Sequence, residues 1–491
     1  MRGYRNATLC IAAVAMLILA TADAAFAQRV FGRGPSPNIG VTRGGGYNGG
    51  RNYRRSYVSG NFMGTLPGYS PGIVQDIEGG DIDEPAPGSR RPTRRLARRG
   101  ASRAPVANER RLVPDEVVIE LANSLSPQQI DALLRRHRLT RIESQTFQLT
   151  GTTWFRWRIP DRRSVAGVLR ALETDRLVAS AQPNYLFALQ QDAAKAVAEG
   201  DAAQYELAKL HLPQAHALAR GDAVPVAIID SGVDANHPEL SGAIAETYDT
   251  LSKPMTPHKH GTAIAGLIAA HGRLMGAAPG ARVLAIRAFD GTGASAEGTT
   301  FNILKGLDWA AAHNARIINM SFAGPPDPAI HRSLMAAHNK GIVLVAAAGN
   351  AGPKSPPLYP AADPNVIAVT ATDADDKLFP PSNRGRYIAL AAPGAQILVA
   401  IPDGGYEVSS GTSYSAAEIS GIVALMLQRK SDLAPNKVRD ILLATAKDLG
   451  PKGRDIMFGA GLADAYGALM AEETPIAAAP RPAERTSSGA R

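Results

Sequence analysis

Residues 224–230 read VPVAIID, a nearly unbroken apolar run that ends on a carboxylate. Similar runs recur downstream: ARVLAIRAF (281–289), ARIINMSF (315–322), GIVLVAAAGN (341–350), NVIAVTAT (365–372) and YIALAAPG (387–394). Strands that are buried on both faces of a parallel sheet have this continuous apolar pattern. Helical stretches such as 302–314 and 330–340 separate several runs, and right-handed crossovers are the default connection. The sequence predicts an α/β fold with a parallel sheet flanked by helices.

A different pattern precedes this region. VVIEL (117–121) is typical of a strand, and Ser126-Pro127-Gln128-Gln129 has the N-cap serine, first-position proline and third-position glutamine of a helix start. FQLTGTTWFRWRI (147–159) indicates one or two strands around a Gly-Thr turn, a second helix spans 164–175, and VASAQPNYLFAL (178–189) is a last strand. The order βαββαβ predicts a small ferredoxin-like α+β domain over residues 113–190.

The 491 residues are too many for one hydrophobic core, so we expect two or three folded units. The single cysteine, Cys10, excludes a disulfide framework and a cysteine-based metal site. The formal charge of +9 is concentrated in residues 28–112, which hold 15 arginines, no lysine and 6 acidic residues. That segment is rich in Gly, Arg and Pro and lacks apolar periodicity, so we expect it to be disordered, as we do the tail 472–491.

The N-terminus has the pattern of a secretory signal peptide. Arg2 and Arg5 precede the apolar run at 11–20, and Ala25-Phe26-Ala27 is a small-x-small cleavage site. We predict cleavage between Ala27 and Gln28 and an exported protein, periplasmic or extracellular; an uncleaved anchor is the alternative. Export argues against nucleic acid as the partner of the basic segment, which is then a solvated linker or contacts an anionic cell surface.

Four polar residues lie at the strand ends and helix starts where an α/β fold of this kind carries its active groups. Asp230 ends the first strand, His260 opens the apolar helix HGTAIAGLIAAHG, Asn350 closes a later strand, and Ser413 follows a glycine turn into another helix. Active groups in open α/β sheets lie beyond the carboxyl ends of the strands. A serine nucleophile needs a base to take its proton, a histidine can serve, and a carboxylate can orient the imidazole. An asparagine amide and the backbone N–H of Ser413 are suitable donors to an oxyanion.

These motifs resemble the subtilisin-like serine proteases (subtilases) over residues 205–471. The resemblance rests on AIIDSGVDANHPEL (227–240), HGT at His260, VAAAGN (345–350), GTS at Ser413 and the order Asp, His, Ser. It implies that Asp230 orients, His260 is the general base and then acid, Ser413 is the nucleophile, and Asn350 donates to the oxyanion.

The resemblance also implies a peptidase domain over residues 191–471 and identifies the preceding α+β domain as a prodomain that assists folding and then inhibits the cleft. The cleaved junction is expected between Leu189 and Tyr205. Substrate is expected to pair, as an added strand, with Ser321-Phe322-Ala323-Gly324. The family usually has glycine at the position of Ala323. The methyl group of Ala323 either narrows the pocket for the substrate side chain that precedes the cut bond or has no effect.

Two metal questions arise from the sequence. His258 and His260 form a His-x-His pair, but the triad explains His260 better, so we expect no catalytic metal. Well-known subtilases carry a calcium loop after the catalytic histidine, whereas HGRLMG (271–276) has no Asp or Asn there. Glu239 matches one ligand of that calcium site, and we predict that this particular site is missing; other calcium sites stay open.

The sequence thus predicts an exported serine endopeptidase, made as a self-processing zymogen, that acts on polypeptides as a monomer and needs no cofactor for catalysis. Two alternatives remain. One is a catalytically silent envelope binding scaffold, and the other is a subtilisin-like enzyme that joins peptides.

Overall fold

The structure is a computed structural model that describes residues 109–122, 125–190, 204–251, 253–254, 256–291 and 296–471. The predicted signal peptide (1–27), the basic segment up to residue 108 and the tail (472–491) lie outside the described residues. Most of the segment between Leu189 and Tyr205 lies outside them too.

The first part of the described chain is the βαββαβ unit. Its elements are β1 (Leu112–Leu121), α1 (Pro127–His137), β2 (Thr140–Phe147), β3 (Thr152–Arg158), α2 (Val165–Glu173) and β4 (Val178–Leu189). The strands pair antiparallel in the order β2-β3-β1-β4, which is the ferredoxin-like arrangement. The predicted capping box of α1 is present, because the Ser126 hydroxyl accepts from Gln129 N and the Gln129 side chain accepts from Ser126 N.

The strands that follow, in chain order, are β5 (Pro225–Asp230), β6 (Ile244–Asp249), β7 (Arg282–Arg287), β8 (Phe289–Asp290), β9 (Glu297–Thr299), β10 (Ile317–Met320), β11 (Phe322–Ala323), β12 (Val343–Ala347), β13 (Ile367–Thr372), β14 (Ile388–Pro393), β15 (Ile397–Ile401) and β16 (Gly405–Ser409). Seven of them form a sheet in the order β14-β13-β12-β10-β5-β7-β6, and every pairing is parallel. The predicted α/β class is confirmed. The edge strand β6 was not predicted, because its sequence IAETYD is only partly apolar.

The accompanying helices are α3 (Tyr205–Lys209), α4 (Leu212–His216), α5 (Lys259–Ala269), α6 (Thr300–Ala312), α7 (Pro328–Asn339), α8 (Thr412–Arg429), α9 (Pro435–Thr445) and α10 (Ala465–Ala471). They cover both faces of the parallel sheet. Because side chains alternate along a strand, β5 contributes to two cores. Val226 and Ile228 pack in the core that contains residues of α5 and α8, and Ala227 and Ile229 pack in the core that contains residues of α6 and α7.

Candidate active site

The four predicted catalytic residues come together at the carboxyl edge of the parallel sheet. Asp230 is the last residue of β5, and Asn350 follows β12. His260 and Ser413 lie in the first turns of α5 and α8. This placement follows from the parallel topology, since neighbouring strands all end at the same edge.

Asp230 and His260 form a buried pair. His260 Nδ1 lies 2.7 Å from Asp230 Oδ1, and both side chains have no solvent exposure. Asp230 Oδ1 also accepts from Ser231 N at 2.7 Å and from the Ser231 hydroxyl at 3.0 Å. These contacts fix the imidazole with Nδ1 towards the carboxylate, which leaves Nε2 as the nitrogen that can exchange a proton with substrate or nucleophile.

Gly261 allows α5 to start this close to β5. A Cβ at this position would lie 2.6 Å from the carbonyl oxygen of Ser231. Gly261 N instead donates to the Ser231 hydroxyl at 3.1 Å. The glycine of the HGT motif is therefore required by close backbone approach, and it sets the separation of His260 from Asp230.

Ser413 is buried, and its hydroxyl is engaged by two carbonyl groups. Ser413 Oγ donates to Gln190 O at 2.5 Å and to Ser321 O at 3.1 Å. Among the described residues, His260 Nε2 has no hydrogen-bond partner. The structure therefore places the serine hydroxyl on the backbone of Gln190 and does not contain a hydrogen bond between Ser413 and His260.

Asn350 is held so that its amide NH₂ stays available. Its Oδ1 accepts from Thr412 N at 3.2 Å and from the Thr412 hydroxyl at 2.8 Å. Asn350 Nδ2 is buried and has no hydrogen-bond partner within the described chain. A buried donor that is oriented but unpaired is what an oxyanion site requires before charge develops.

The cleft beside these residues is filled by the chain itself. The end of β4 lies between β9 and β11 and pairs antiparallel with both: Ala188 is opposite Glu297 on one side and Ala323 on the other. Leu189 is opposite Phe322, and Gln190 N donates to Ser321 O at 3.2 Å. Three of the four predicted substrate-binding residues (Ser321, Phe322 and Ala323) thus bind an extended strand through their backbone.

Gly324, the fourth of these residues, faces an aromatic side chain of the bound strand. A Cβ at Gly324 would lie 2.2 Å from the Phe187 ring. Phe187 is buried and meets Phe322 edge to face, with ring centroids 6.0 Å apart, and Phe322 in turn contacts Phe289 at 4.9 Å. This aromatic cluster fixes the register of β4, because a shift by one residue would turn Phe187 to the opposite face.

Glu239 does not present a free carboxylate. It accepts from the backbone N–H groups of Gly272, Arg273 and Leu274, each at 3.0 Å, and from the Tyr406 hydroxyl at 2.6 Å. Burial alone would raise the pKa of Glu239, but the bonds from Tyr406 and the amides outweigh it and lower the pKa. The short loop after α5 therefore satisfies the Glu239 carboxylate with backbone hydrogen-bond donors.

Two buried carboxyl groups, one in α3 and one in α8, lie close enough to interact. Glu206 in α3 and Glu418 in α8 are 0% and 1% exposed. Burial raises the pKa of Glu206 to about 7. Burial and then the nearby charge of Glu206 raise the pKa of Glu418 well above its ordinary value. The two carboxyls therefore interact, and each is harder to ionise than an exposed glutamate.

The His-x-His pair does not form a metal-ligand set. His260 Nδ1 is bonded to Asp230, and His258 Nδ1 lies 2.9 Å from the Ser231 hydroxyl. Burial lowers the pKa of His258, although the Asp230 charge opposes the shift. In the part of the chain that the structure describes, no three His, Cys, Asp or Glu side chains form a group that could hold a metal ion.

The sequence does not identify two residues of this site. Gln190 lies in the interval where the junction is expected, but the register of a bound strand depends on contacts distant along the chain. Thr412 lies in the GTS motif, and its hydroxyl anchors the Asn350 amide. Its position beside Ser413 is the available signal in the sequence.

Comparison with known proteins agrees with the geometry. Residues 221–461 match the Subtilase family of peptidases. Thermitase of Thermoactinomyces vulgaris is 34% identical over 275 residues, which cover 54% of this chain and 96% of thermitase. Subtilisin E of Bacillus subtilis is 33% identical over 276 residues, which cover 54% of this chain and 71% of subtilisin E.

The crystal structure of fervidolysin from Fervidobacterium pennivorans, a keratinolytic enzyme related to subtilisin, shares the fold. The TM-score is 0.64 at 24% sequence identity, and the match covers 75% of this chain and 62% of fervidolysin. The parallel sheet, the residues gathered at its carboxyl edge and these similarities lead to one conclusion: the chain belongs to the subtilase family and is a serine endopeptidase.

Proposed function

We propose that the protein is an exported endopeptidase that is made as a zymogen and cleaves itself after Gln190. In this account Ser413 is the nucleophile, and His260 is the general base and then the general acid. Asp230 orients His260, and Asn350 Nδ2 and Ser413 N donate to the oxyanion. The βαββαβ unit, ending at Gln190, is the prodomain and acts as a cleft inhibitor. Polypeptides are the substrates.

One observation carries the proposal: Ser413 Oγ lies 2.5 Å from Gln190 O. The contact joins the proposed nucleophile to the carbonyl group of the Gln190–Gln191 bond, within the interval where the junction is expected. The strand that delivers this carbonyl is held on both sides, by β9 and β11. Such positioning converts an encounter between two groups into an intramolecular step.

The reaction follows from the atoms in place. Ser413 first rotates about χ1, so that its hydroxyl proton passes to His260 Nε2 as Oγ bonds to the Gln190 carbonyl carbon. The carbonyl oxygen becomes an oxyanion that Asn350 Nδ2 stabilises. The C–N bond breaks when His260 returns the proton to the Gln191 nitrogen, which leaves Gln190 as an ester on Ser413. His260 then takes a proton from water as the water oxygen attacks the ester carbon. It returns that proton to Ser413 Oγ, which restores the hydroxyl and releases the Gln190 carboxylate.

Contacts away from the cleft support retention of the prodomain as an inhibitor. Gln182 Nε2 donates to Asp327 Oδ1 at 2.8 Å, and Gln182 Oε1 accepts from Ala329 N at 3.2 Å. Lys305 Nζ donates to Glu143 Oε1 at 2.8 Å. These bonds join the βαββαβ unit to the middle of α6 and the start of α7 and remain after the peptide bond is cut, so we expect the cleaved prodomain to dissociate slowly.

Export is supported by the sequence pattern of residues 1–27, so we expect the protein in the periplasm or outside the cell. We expect it to act as a monomer. The structure contributes a separate fact: none of the helices within the described residues is long and apolar enough to cross a membrane. The arginine-rich segment before the prodomain would contact anionic cell surfaces through charge.

Labelling with a serine-directed phosphonate tests the proposal. The chain starting at Gln28 is left to process and freed of its prodomain, and it is then treated with the phosphonate and digested. We expect the label on Ser413 and none in a His260→Ala variant whose prodomain is removed with an added protease, because the unassisted hydroxyl is a weak nucleophile. Product masses from a peptide substrate separate hydrolysis from peptide joining, since hydrolysis alone adds one water. An unlabelled Ser413 in processed protein that has lost its prodomain would contradict the proposal.

A further inference from the structure

The bound strand identifies the residue that precedes the cleaved bond. The ladder pairs Ala188 with Ala323 and Leu189 with Phe322, and Gln190 N continues it by donating to Ser321 O at 3.2 Å. The next carbonyl along the strand, Gln190 O, is the one within 2.5 Å of Ser413 Oγ. The register therefore places the Gln190 side chain in the position that selects substrates by the residue before the cut.

The side-chain amide of Gln190 uses both its acceptor and its donor. Its Oε1 accepts from the backbone N–H of Asn350 at 2.9 Å. Its Nε2 donates to Ala188 O at 3.0 Å and to Leu189 O at 3.3 Å. Gln190 is 8% exposed, so these bonds form with little competition from solvent.

We propose that the enzyme prefers glutamine immediately before the bond that it cleaves, and that the backbone N–H of Asn350 recognises the glutamine amide. This inference rests on the proposed function, because it treats Gln190 as substrate of Ser413. The recognising group is a backbone amide on the same residue whose side chain faces the oxyanion. Recognition and catalysis are thereby joined at one residue.

Two near-isosteres show why the amide matters. Methionine has the length of glutamine but neither a strong acceptor nor a donor, so the Asn350 N–H would lose its acceptor. Glutamate keeps the acceptor, but its second oxygen would replace Nε2 beside the carbonyl oxygens of Ala188 and Leu189 and carry negative charge there. Only the neutral amide satisfies all three backbone groups.

The expected discrimination is moderate. Leaving one buried donor unsatisfied corresponds to a roughly 5-fold to 100-fold lower kcat/KM. We therefore expect kcat/KM for glutamine to exceed that for methionine by about 10-fold or more. Glutamate should be disfavoured at least as strongly above the ordinary pKa of a glutamate side chain, where it carries a negative charge.

The test uses synthetic peptides and the processed full chain starting at Gln28. The parent peptide is NYLFALQADAAK, residues 184–195 with Gln191→Ala, so that no second glutamine follows the bond. Companion peptides carry Met, Glu or Leu at position 190. A Lys195→Met peptide is the matched control, because it replaces a polar side chain with methionine five residues beyond the cut. Ratios of kcat/KM, with cleavage positions assigned by mass, do not depend on how much enzyme is still inhibited.

The outcomes separate the two proposals. Cleavage after glutamine at least 10-fold faster than after methionine and glutamate, with an unchanged rate for the Lys195→Met control, supports glutamine recognition. Equal rates, or faster cleavage after leucine or methionine, would overturn the inference and leave the proteolytic function intact. No hydrolysis of any peptide by protein whose Ser413 is free would overturn the proposed function and this inference with it.

Discussion

Phe187 occupies the space that a side chain at Gly324 would need, since a Cβ on that glycine would lie 2.2 Å from the Phe187 ring. The contact joins the proposed prodomain to the peptidase fold next to β11. It explains why the bound strand has one register, and it can be tested by substitution at either residue.

Gly324→Ala should slow self-processing about 10-fold or more, because the new methyl and the Phe187 ring cannot both be accommodated without displacing the strand. Phe187→Ala in the same chain should restore part of the rate by removing the clash. The rate is measured from the intact mass of the full chain over time. Normal processing of the Gly324→Ala chain, or a double variant no faster than the single one, would contradict this account.

Asn350→Ala should reduce kcat for peptide hydrolysis by about 10²-fold to 10³-fold with little change in KM, since its NH₂ acts on charge that develops in the transition state. Asn436→Ala, the same chemical change on the exposed surface of α9, is the control and should leave both constants unchanged. A raised KM with an intact kcat would show that Asn350 contributes to substrate binding instead.

Thr412→Val should reduce kcat less than Asn350→Ala does, by about 10-fold. It removes the hydroxyl that donates to Asn350 Oδ1 at 2.8 Å but keeps the amide itself. A misoriented donor is weaker than an aligned one but is not lost. If Thr412→Val matched Asn350→Ala, the threonine would have a role beyond orienting the amide.

The buried pair Glu206 and Glu418 makes stability depend on pH. The pKa of Glu206 rises from 4.5 in the unfolded chain to about 7 in the fold, so the folded state holds more protons between these values. Stability therefore falls as pH rises through this window. Glu206→Gln should raise the free energy of unfolding at pH 8, on the order of 3 kcal/mol, and should have little effect near pH 4.

The measurement is denaturant unfolding of the Ser413→Ala chain, with and without Glu206→Gln, across this pH range. Self-cleavage then does not interfere. Glu173→Gln, at an exposed position in α2, is the control. A Glu206→Gln chain with the same pH dependence as its parent would contradict the proposed burial effect.

Gln182→Ala should speed release of the cleaved prodomain about 10-fold, because it removes a donor to the buried carboxylate of Asp327. Release is followed as the appearance of peptidase activity after processing is complete. Gln128→Ala, at an exposed position in α1, should not change it. An unchanged release rate in the Gln182→Ala chain would show that this contact does not hold the prodomain.

The sequence predicts best those features that depend on residues close together along the chain, such as single strands and helix starts. The apolar runs at 224–230 and 341–350 became β5 and β12, and the Ser126 start signal became the start of α1. The predicted catalytic residues could be aligned at one edge because a parallel sheet ends all its strands together.

Non-local relationships could not be read in this way. Gln190 contacts Ser413 because Phe187 packs beside Gly324 and fixes the register of the strand. Both contacts join residues that are distant along the chain. Glu206 and Glu418 interact although α3 and α8 are distant along the chain. The sequence around neither residue predicts that its carboxyl group is buried. Three of the four donors to Glu239 are backbone groups, which no side-chain pattern reveals.

The intact mass of the chain starting at Gln28, followed over time beside its Ser413→Ala twin, shows whether Ser413 cleaves the chain after Gln190. We expect that the wild type alone splits, that the N-terminal fragment ends at Gln190 and that the new N-terminus is Gln191. The rate of self-cleavage in the variant should be lower by about 10⁶-fold, the order seen when subtilisin loses its nucleophile. Cleavage of both proteins at the same bond, or a wild-type fragment that ends elsewhere, would contradict this expectation.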